Sequence, residues 1–526
     1  MKLAAPTMAR LRRLARALPL AIVLATLAAP PTAALAHAQG SSRRAPARPK
    51  ARARTVARPT PPPRPTTPRS AEALASDMGA IVGQATRSGR WGVMVVSLTR
   101  GDTLYRLNAG EHFMPASTLK LFTGALALER FGPEHRFQTA VLRDGPLRGD
   151  GTLDGDIVIR GGGDPALSGR FLRNDPHAAM NLLASLVAGQ GVKRVTGDVI
   201  GDPTLFEPKG VPDGWQSRYL QSGYAARVSA LSLNENLVWI AVSPGAAGGA
   251  ATVAFEPATS GIRLVNSVQT RKGAGAQVTV RRLPDHGMEV RGWVGTGAGT
   301  RRYQMVVEDP PLFATGAFAE ALRRRGIAVD GTVRIAPTPD DAEPLTALPS
   351  PTMEQLVAVM ERESINHYAE LLFRNAARDA HPGAPGSAET GNRALGELMT
   401  RAGAVPGSVV ARDGSGLSVL DQVTPRALVQ LLAYGHRASW GSAFHASLPV
   451  AGESELLRTR MRGGPAHGNL HAKTGTTNEV ISLAGYTTAE NGEVLAFAFV
   501  YNGTDRWNAR VAIDALGETL SGFGRS

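Results

Sequence analysis

Two short apolar runs near residue 90, WGVMVVSLT and DTLYRL, predict a hairpin of strands. The next run, FMPASTLKLFTGALALERFG (residues 113–132), begins with a proline and small residues and then takes helical spacing. Near the other end, EVISLAGYTTAENGEVLAFAFVYN holds two apolar runs around Asn491-Gly492, a hairpin signal. The stretch Trp507 to Leu520 reads as a terminal helix with Ala509, Ile513, Leu516 and Leu520 on one face. Strands at both ends with flanking helices predict one sheet assembled from distant segments.

The pattern between these ends differs. Residues 155–345 are short strands punctuated by glycine, from GDIVIRG to GTVRIAP, interrupted by one helix from Pro311 to Arg325. Such a texture predicts one or two mainly β modules inserted in an α/β core. Helical spacing returns after about residue 350, including Met353 to Ala376. No internal repeat is evident.

With 526 residues there is room for two or more domains. The first 38 read as a secretory signal peptide, with Arg10, Arg12, Arg13 and Arg16 before an apolar run from Leu18 to Leu27 and small residues around Ala36 and Ala38. That run is too short for a comfortable membrane span, which favours removal and an exported protein of the periplasm or extracytoplasmic cell envelope. The net charge of +14 suggests nucleic acid until it is located. Residues 1–70 hold fourteen basic residues and no acid, and beyond them 44 basic residues balance 44 acids. The folded part is therefore near neutral and no nucleic-acid partner is expected. Residues 39–70, rich in Pro, Ala and Arg, read as a disordered linker, with contact between residues 43–69 and anionic envelope polymers or lipids as the alternative to a plain tether. The absence of cysteine excludes thiol chemistry and cysteine metal sites.

Only seven of the 58 basic residues are lysine. Arginine cannot be deprotonated in a protein, whereas lysine becomes a base when buried or placed beside another cation. Two of the seven lie in short motifs. Ser117-Thr-Leu-Lys120 opens the helical run; Ser364-Ile-Asn366 opens SINHYAELLF; Lys473-Thr474-Gly475 precedes the first strand of the C-terminal hairpin. Taken singly, the first is a capping serine with a snorkelling lysine and the last a strand-entry turn. In this order they form the S-x-x-K, S-x-N, K-T-G triple of serine acyl transferases that bind penicillin.

Each member has a physical task. Helical spacing puts Ser117 and Lys120 on one face, so the amine can take the hydroxyl proton. Ser364 can relay a proton to the leaving amine, and Asn366 can bond the substrate amide. Lys473 supplies a fixed charge that keeps Lys120 neutral and draws a carboxylate, which Thr474 can also bond. Gly475 lets substrate lie against the strand edge, and the N–H groups of Ser117 and Thr476 suit an oxyanion hole. No metal or other cofactor is expected, since the histidines show no metalloprotease spacing. Gly161-Gly-Gly-Asp164 reads as a tight turn, Asp413-Gly-Ser-Gly416 as a loop near the site, and His471 as a strand residue or a residue of the cleft rim.

The chain resembles the class C low-molecular-mass penicillin-binding proteins, the serine D-alanyl-D-alanine carboxypeptidases and endopeptidases. Besides the triple, the resemblance rests on DGDIVIRGGGDPAL, VSALSLNEN, DGSGLS, LPVAG and HAKTGT followed by SLAGY. It implies a β-lactamase-like transpeptidase core with two nested, mainly β inserted domains. The catalytic domain is then residues 71–142 and 347–526, domain II residues 143–225 and 304–346, and domain III residues 226–303. It also implies action on peptidoglycan stem peptides and inhibition by β-lactams. The resemblance departs after Gly214-Trp215, where relatives carry an acid and this chain reads QSRYLQSGY, and after LPVAG, where ESELL stands. A β-lactamase and a catalytically idle envelope-binding scaffold are the alternatives. The S-I-N motif and the 247-residue separation of Ser117 and Ser364 favour the peptidase.

Overall fold

Two hairpins from opposite ends of the chain build the central sheet in the computed structural model, which describes residues 63–526. The expected signal peptide and the part of the linker before residue 63 lie outside the described residues. Five strands, β1 (Arg90–Ser97), β2 (Thr103–Leu107), β3 (His471–Thr476), β4 (Val480–Thr488) and β5 (Val494–Asn502), lie in the order β3-β4-β5-β1-β2. All neighbours are antiparallel; Val93 pairs with Phe499 and Leu483 with Phe499 from the other side. Successive side chains point to opposite faces. Val93, Val95, Leu483, Phe497 and Phe499 meet the N-terminal helix α1 (Ala71–Ala85) and the C-terminal helix on one face. Met94, Ala484, Ala496, Ala498 and Val500 meet the helical layer on the other. Small residues on that second face let α2 (Lys120–Phe131) and its neighbours approach closely.

The expected run from Met353 to Ala376 is two helices, α3 (Met353–Glu363) and α4 (Asn366–Ala380). Ser364 divides them in a left-handed conformation with φ 58° and ψ 41°. The last helix, α5 (Arg506–Ser521), extends one residue past the expected stretch at each end.

Residues 138–349 form the inserted part. A five-stranded sheet runs in the order Val333–Ile335, Val199–Asp202, Asp156–Arg160, Gln138–Asp144, Glu343–Pro349. Two three-stranded sheets stand beside it, made of residues 237–306. One continuous apolar cluster joins them, from Val141 and Ile159 through Ile240 and Val290 to Phe313. The expected cuts at 142/143 and 346/347 pass through strands that pair with each other, Arg143 facing Glu343 and Gln138 facing Pro349. The cut at 303/304 likewise crosses the Arg301–Val306 strand. A ladder broken there would leave backbone groups unpaired, so the chain passes between layers in loops instead. The expected single helix starts at Pro310 behind the Asp309 cap, and a second helix, Ala178–Gly189, packs with it. Its sequence, AAMNLLASLVAG, is apolar except for Asn181 and Ser185, so periodicity does not separate it from a buried strand.

The expected disordered linker stops short of residue 70. Pro68 is buried, its carbonyl accepts from Gly524 N at 3.0 Å, and Thr66 N donates to Thr519 Oγ1 at 3.1 Å. Arg69 pairs with Glu490, and Ser70 Oγ caps α1 by accepting from Ala73 N at 3.1 Å. Among the described residues no helix is long and apolar enough to cross a membrane.

Candidate active site

Ser117 sits on a 3₁₀ turn, Ala116–Leu119, that runs into α2 at Lys120. Ala116 enters that turn at φ 49°, an uncommon conformation for a residue with a Cβ. Three bonds hold the approach: Thr118 Oγ1 and Ser482 Oγ each donate to Pro115 O at 2.8 Å, and Met114 N donates to Asn502 Oδ1 at 2.8 Å. The nucleophile candidate is thereby fixed to β4 and β5.

Lys120 is fully buried. Its Nζ donates to Asn366 Oδ1 at 2.6 Å and to Ser415 O at 2.7 Å, and lies 3.1 Å from Ser117 Oγ. A neutral amine has two N–H donors and one lone pair. With both donors used, the lone pair is left for the Ser117 hydroxyl. Burial first, and the nearby Lys473 charge second, push the Lys120 amine down to about 7, against the opposing pull of Asp413, Glu361 and Glu370.

Lys473 is also fully buried, and its Nζ bonds to no group among the described residues. Burial lowers its pKa, with Glu361 opposing. Glu361 on α3, which sequence reasoning did not single out, is buried with both carboxylate oxygens unbonded, and burial raises its pKa. A polar residue on an otherwise apolar helix face was the only signal for it.

The S-x-N pair lies on the opposite wall. Ser364 lines the cleft together with Ser117, in the left-handed link between α3 and α4. Asn366 is almost fully buried, and its Nδ2 donates to Tyr224 O at 2.8 Å. Both ends of that amide are therefore engaged inside the protein, with Lys120 and with a residue of the inserted part.

Thr474, Gly475 and Thr476 form the end of β3, an edge strand, beside the nucleophile turn. Thr474 and Thr476 line the cleft. A Cβ on Gly475 would come 2.1 Å from Ser482 Oγ and 2.7 Å from Pro115 O, so only glycine permits this approach. His471 is half-buried on β3 and lines neither cavity at Ser117.

The DGSG loop does shape the site. Asp413 accepts from the backbone N–H groups of Ser415, Gly416 and Ser418 at 2.8, 2.6 and 2.8 Å, and from Trp215 Nε1 at 2.7 Å. Those bonds turn Ser415 O toward Lys120. Trp215 of the Gly-Trp pair thus braces the loop from the inserted part. Two cavities meet at Ser117. One, of about 340 Å³, is walled by Tyr219, Tyr224, Asn478 and Gly416; the other, of about 590 Å³, by Arg460, Arg506, Trp507 and Arg510. These walls were not foreseen, because they come together only in the folded chain.

Comparison with known proteins gives the family. Residues 74–521 match the D-Ala-D-Ala carboxypeptidase 3 (S13) family. The chain is 33% identical over 447 residues to a D-alanyl-D-alanine carboxypeptidase of Actinomadura sp. (strain R39), covering 82% of this chain and 81% of that one. It is 26% identical over 419 residues to a D-alanyl-D-alanine carboxypeptidase of Haemophilus influenzae, covering 78% and 85%. The crystal structure of penicillin binding protein 4 from Haemophilus influenzae superposes with a TM-score of 0.70 at 23% identity, over 85% of this chain and 98% of that one.

Proposed function

The chain belongs to the D-Ala-D-Ala carboxypeptidase 3 (S13) family and is a serine D,D-peptidase of the penicillin-binding class, and from that premise we propose that Ser117 is its nucleophile and Lys120 its base. The observation that carries this is the lone pair of a buried, deprotonatable amine 3.1 Å from a serine hydroxyl on a rigid turn.

Ser117 Oγ attacks the carbonyl carbon of the penultimate D-alanine as its proton passes to Lys120 Nζ. The N–H groups of Ser117 and Thr476 hold the oxyanion. The C–N bond then breaks, and the departing amine takes a proton relayed through Ser364. Thr474 holds the carboxylate of the leaving residue, drawn there by the buried charge of Lys473, and Gly475 gives it the strand edge. Asn366 orients Lys120 through its Oδ1, and the second N–H of its Nδ2 is left for the substrate amide. Water then cleaves the ester and restores Ser117. The inserted part, from Gln138 to Pro349, supports the reaction by walling the acyl side with Tyr219 and Tyr224. Export follows from the signal-like N-terminus and a substrate outside the cytoplasm. Residues 43–69 are proposed to touch anionic envelope polymers or lipids through their arginines.

Neither cavity at Ser117 is lined by a carboxylate that could activate water against a bulky ester. A penicilloyl ester should therefore persist. Mixed with penicillin, the protein should gain one penicilloyl mass, mapped to Ser117, lasting minutes and absent from Ser117→Ala. It should also release D-alanine from peptides ending in D-Ala-D-Ala. Rapid penicillin turnover without D-alanine release would make it a β-lactamase instead.

A further inference from the structure

The larger cavity at Ser117 extends well beyond the groups the chemistry needs. Past Thr474 and Thr476 it is walled by Arg460, Arg506, Trp507 and Arg510, and no acidic residue lines it or its neighbour. Arg460 is held by Asp514 at 2.8 Å. Arg506 has only a backbone partner, donating to Thr477 O at 2.9 Å. Arg510 is exposed and bonds to no group among the described residues. The acids next to the lining segments, Glu455, Glu479, Asp505 and Asp514, line neither cavity, and Asp514 is engaged by Arg460.

Stability does not explain these residues. Arg506 is the first residue of α5, where the helix dipole disfavours a cation, and Arg510 lies one turn on, facing solvent. Trp507 between them is 74% exposed, more than any other large apolar side chain among the described residues. An open indole face flanked by guanidinium groups suits an apolar chain bearing carboxylates. Direction follows from Thr474, which with Trp507 and Arg510 lines this cavity and not the tyrosine-walled one, whereas Arg506 borders both. In the proposed reaction Thr474 meets the leaving residue, so whatever extends from that residue enters the arginine-walled space.

We propose that Arg506, Trp507 and Arg510 form a leaving-group subsite for an acidic peptide, making a D-alanyl cross-link to a second, carboxylate-bearing stem a preferred substrate. This rests on the roles given above to Ser117 and Thr474. A lone D-alanine leaves the subsite empty, whereas a departing stem peptide fills it.

The test uses the full chain and two cross-linked peptides that differ only in the departing stem, with free carboxylates in one and carboxamides in the other. A monomer ending in D-Ala-D-Ala is measured beside them. The ratio of kcat/KM, acidic over amidated, should be about tenfold at low salt and fall toward one as salt shortens the range of the charges. Arg510→Gln should bring the ratio near one, Arg510→Lys should restore most of it, and Arg510→Glu should invert it. A wild-type ratio of one, or a ratio unmoved in Arg510→Gln and Arg510→Glu, overturns the subsite, while D-alanine release from the monomer keeps the peptidase assignment standing. Failure of all three peptides overturns both.

Discussion

Lys120 and Lys473 show what a fold does to one residue type. Both are buried, yet Lys120 has two acceptors and a serine at its amine, while Lys473 has no bonded partner among the described residues. The first is suited to trade a proton and the second to act as a charge. Lys120→Arg keeps the charge and removes the base, so penicillin acylation should slow by about a hundredfold to ten-thousandfold in stopped-flow measurements. Lys473→Arg should lose less; equal losses would refute the division of roles. The pH profile follows from the same amine. Its pKa is lowered to about 7, and only the neutral form accepts the serine proton. Acylation should therefore be slow below pH 7, rise through that region, and level off above it.

At the scale of elements, the decisive contact is the end of β3 against the 3₁₀ turn that carries Ser117. Pro115 O accepts from Ser482 and Thr118, and Gly475 leaves no room between these segments. Gly475→Ala should force the strand away from the turn, costing about 1–3 kcal/mol of stability and most of the acylation rate. Thermal melting together with the penicillin reaction reads both effects. A stable Gly475→Ala protein that acylates at the normal rate would mean that the two segments are free to separate.

Across the whole molecule, the ends of the described chain close on each other. Pro68, Arg69 and Ser70 dock beside α5 and the last residues, so the folded unit begins before α1. A chain starting at Ala71 loses the Ser70 cap, worth about 1 kcal/mol, and the buried Pro68. It should melt a few degrees below a chain starting at Pro63, measured by calorimetry; identical melting would mean that this docking adds nothing. The inserted part also acts at this scale. It bonds Asn366 through Tyr224 O and Asp413 through Trp215, so the site is braced from outside the central domain.

What the chain determined by itself is local and ordered: hairpins where short apolar runs flank a turn, helices where apolar positions recur at helical spacing, and three motifs whose side chains have chemistry that few other residue types supply. The nested plan was legible too, because a change from helical to glycine-punctuated texture marks an insertion. Boundaries were not. Strands Gln138–Asp144 and Glu343–Pro349 belong together through a ladder between residues some 200 apart, and no local pattern records such a pairing. Nor does any pattern record that Glu361 faces two lysines, that Asp413 and Trp215 share a bond, or that Arg506 and Arg510 open onto the same cavity as Ser117. Burial and electrostatic environment are properties of the packed molecule. The residue types were present in the sequence, but only packing buries Lys120 beside Ser117 and lowers the pKa of its amine.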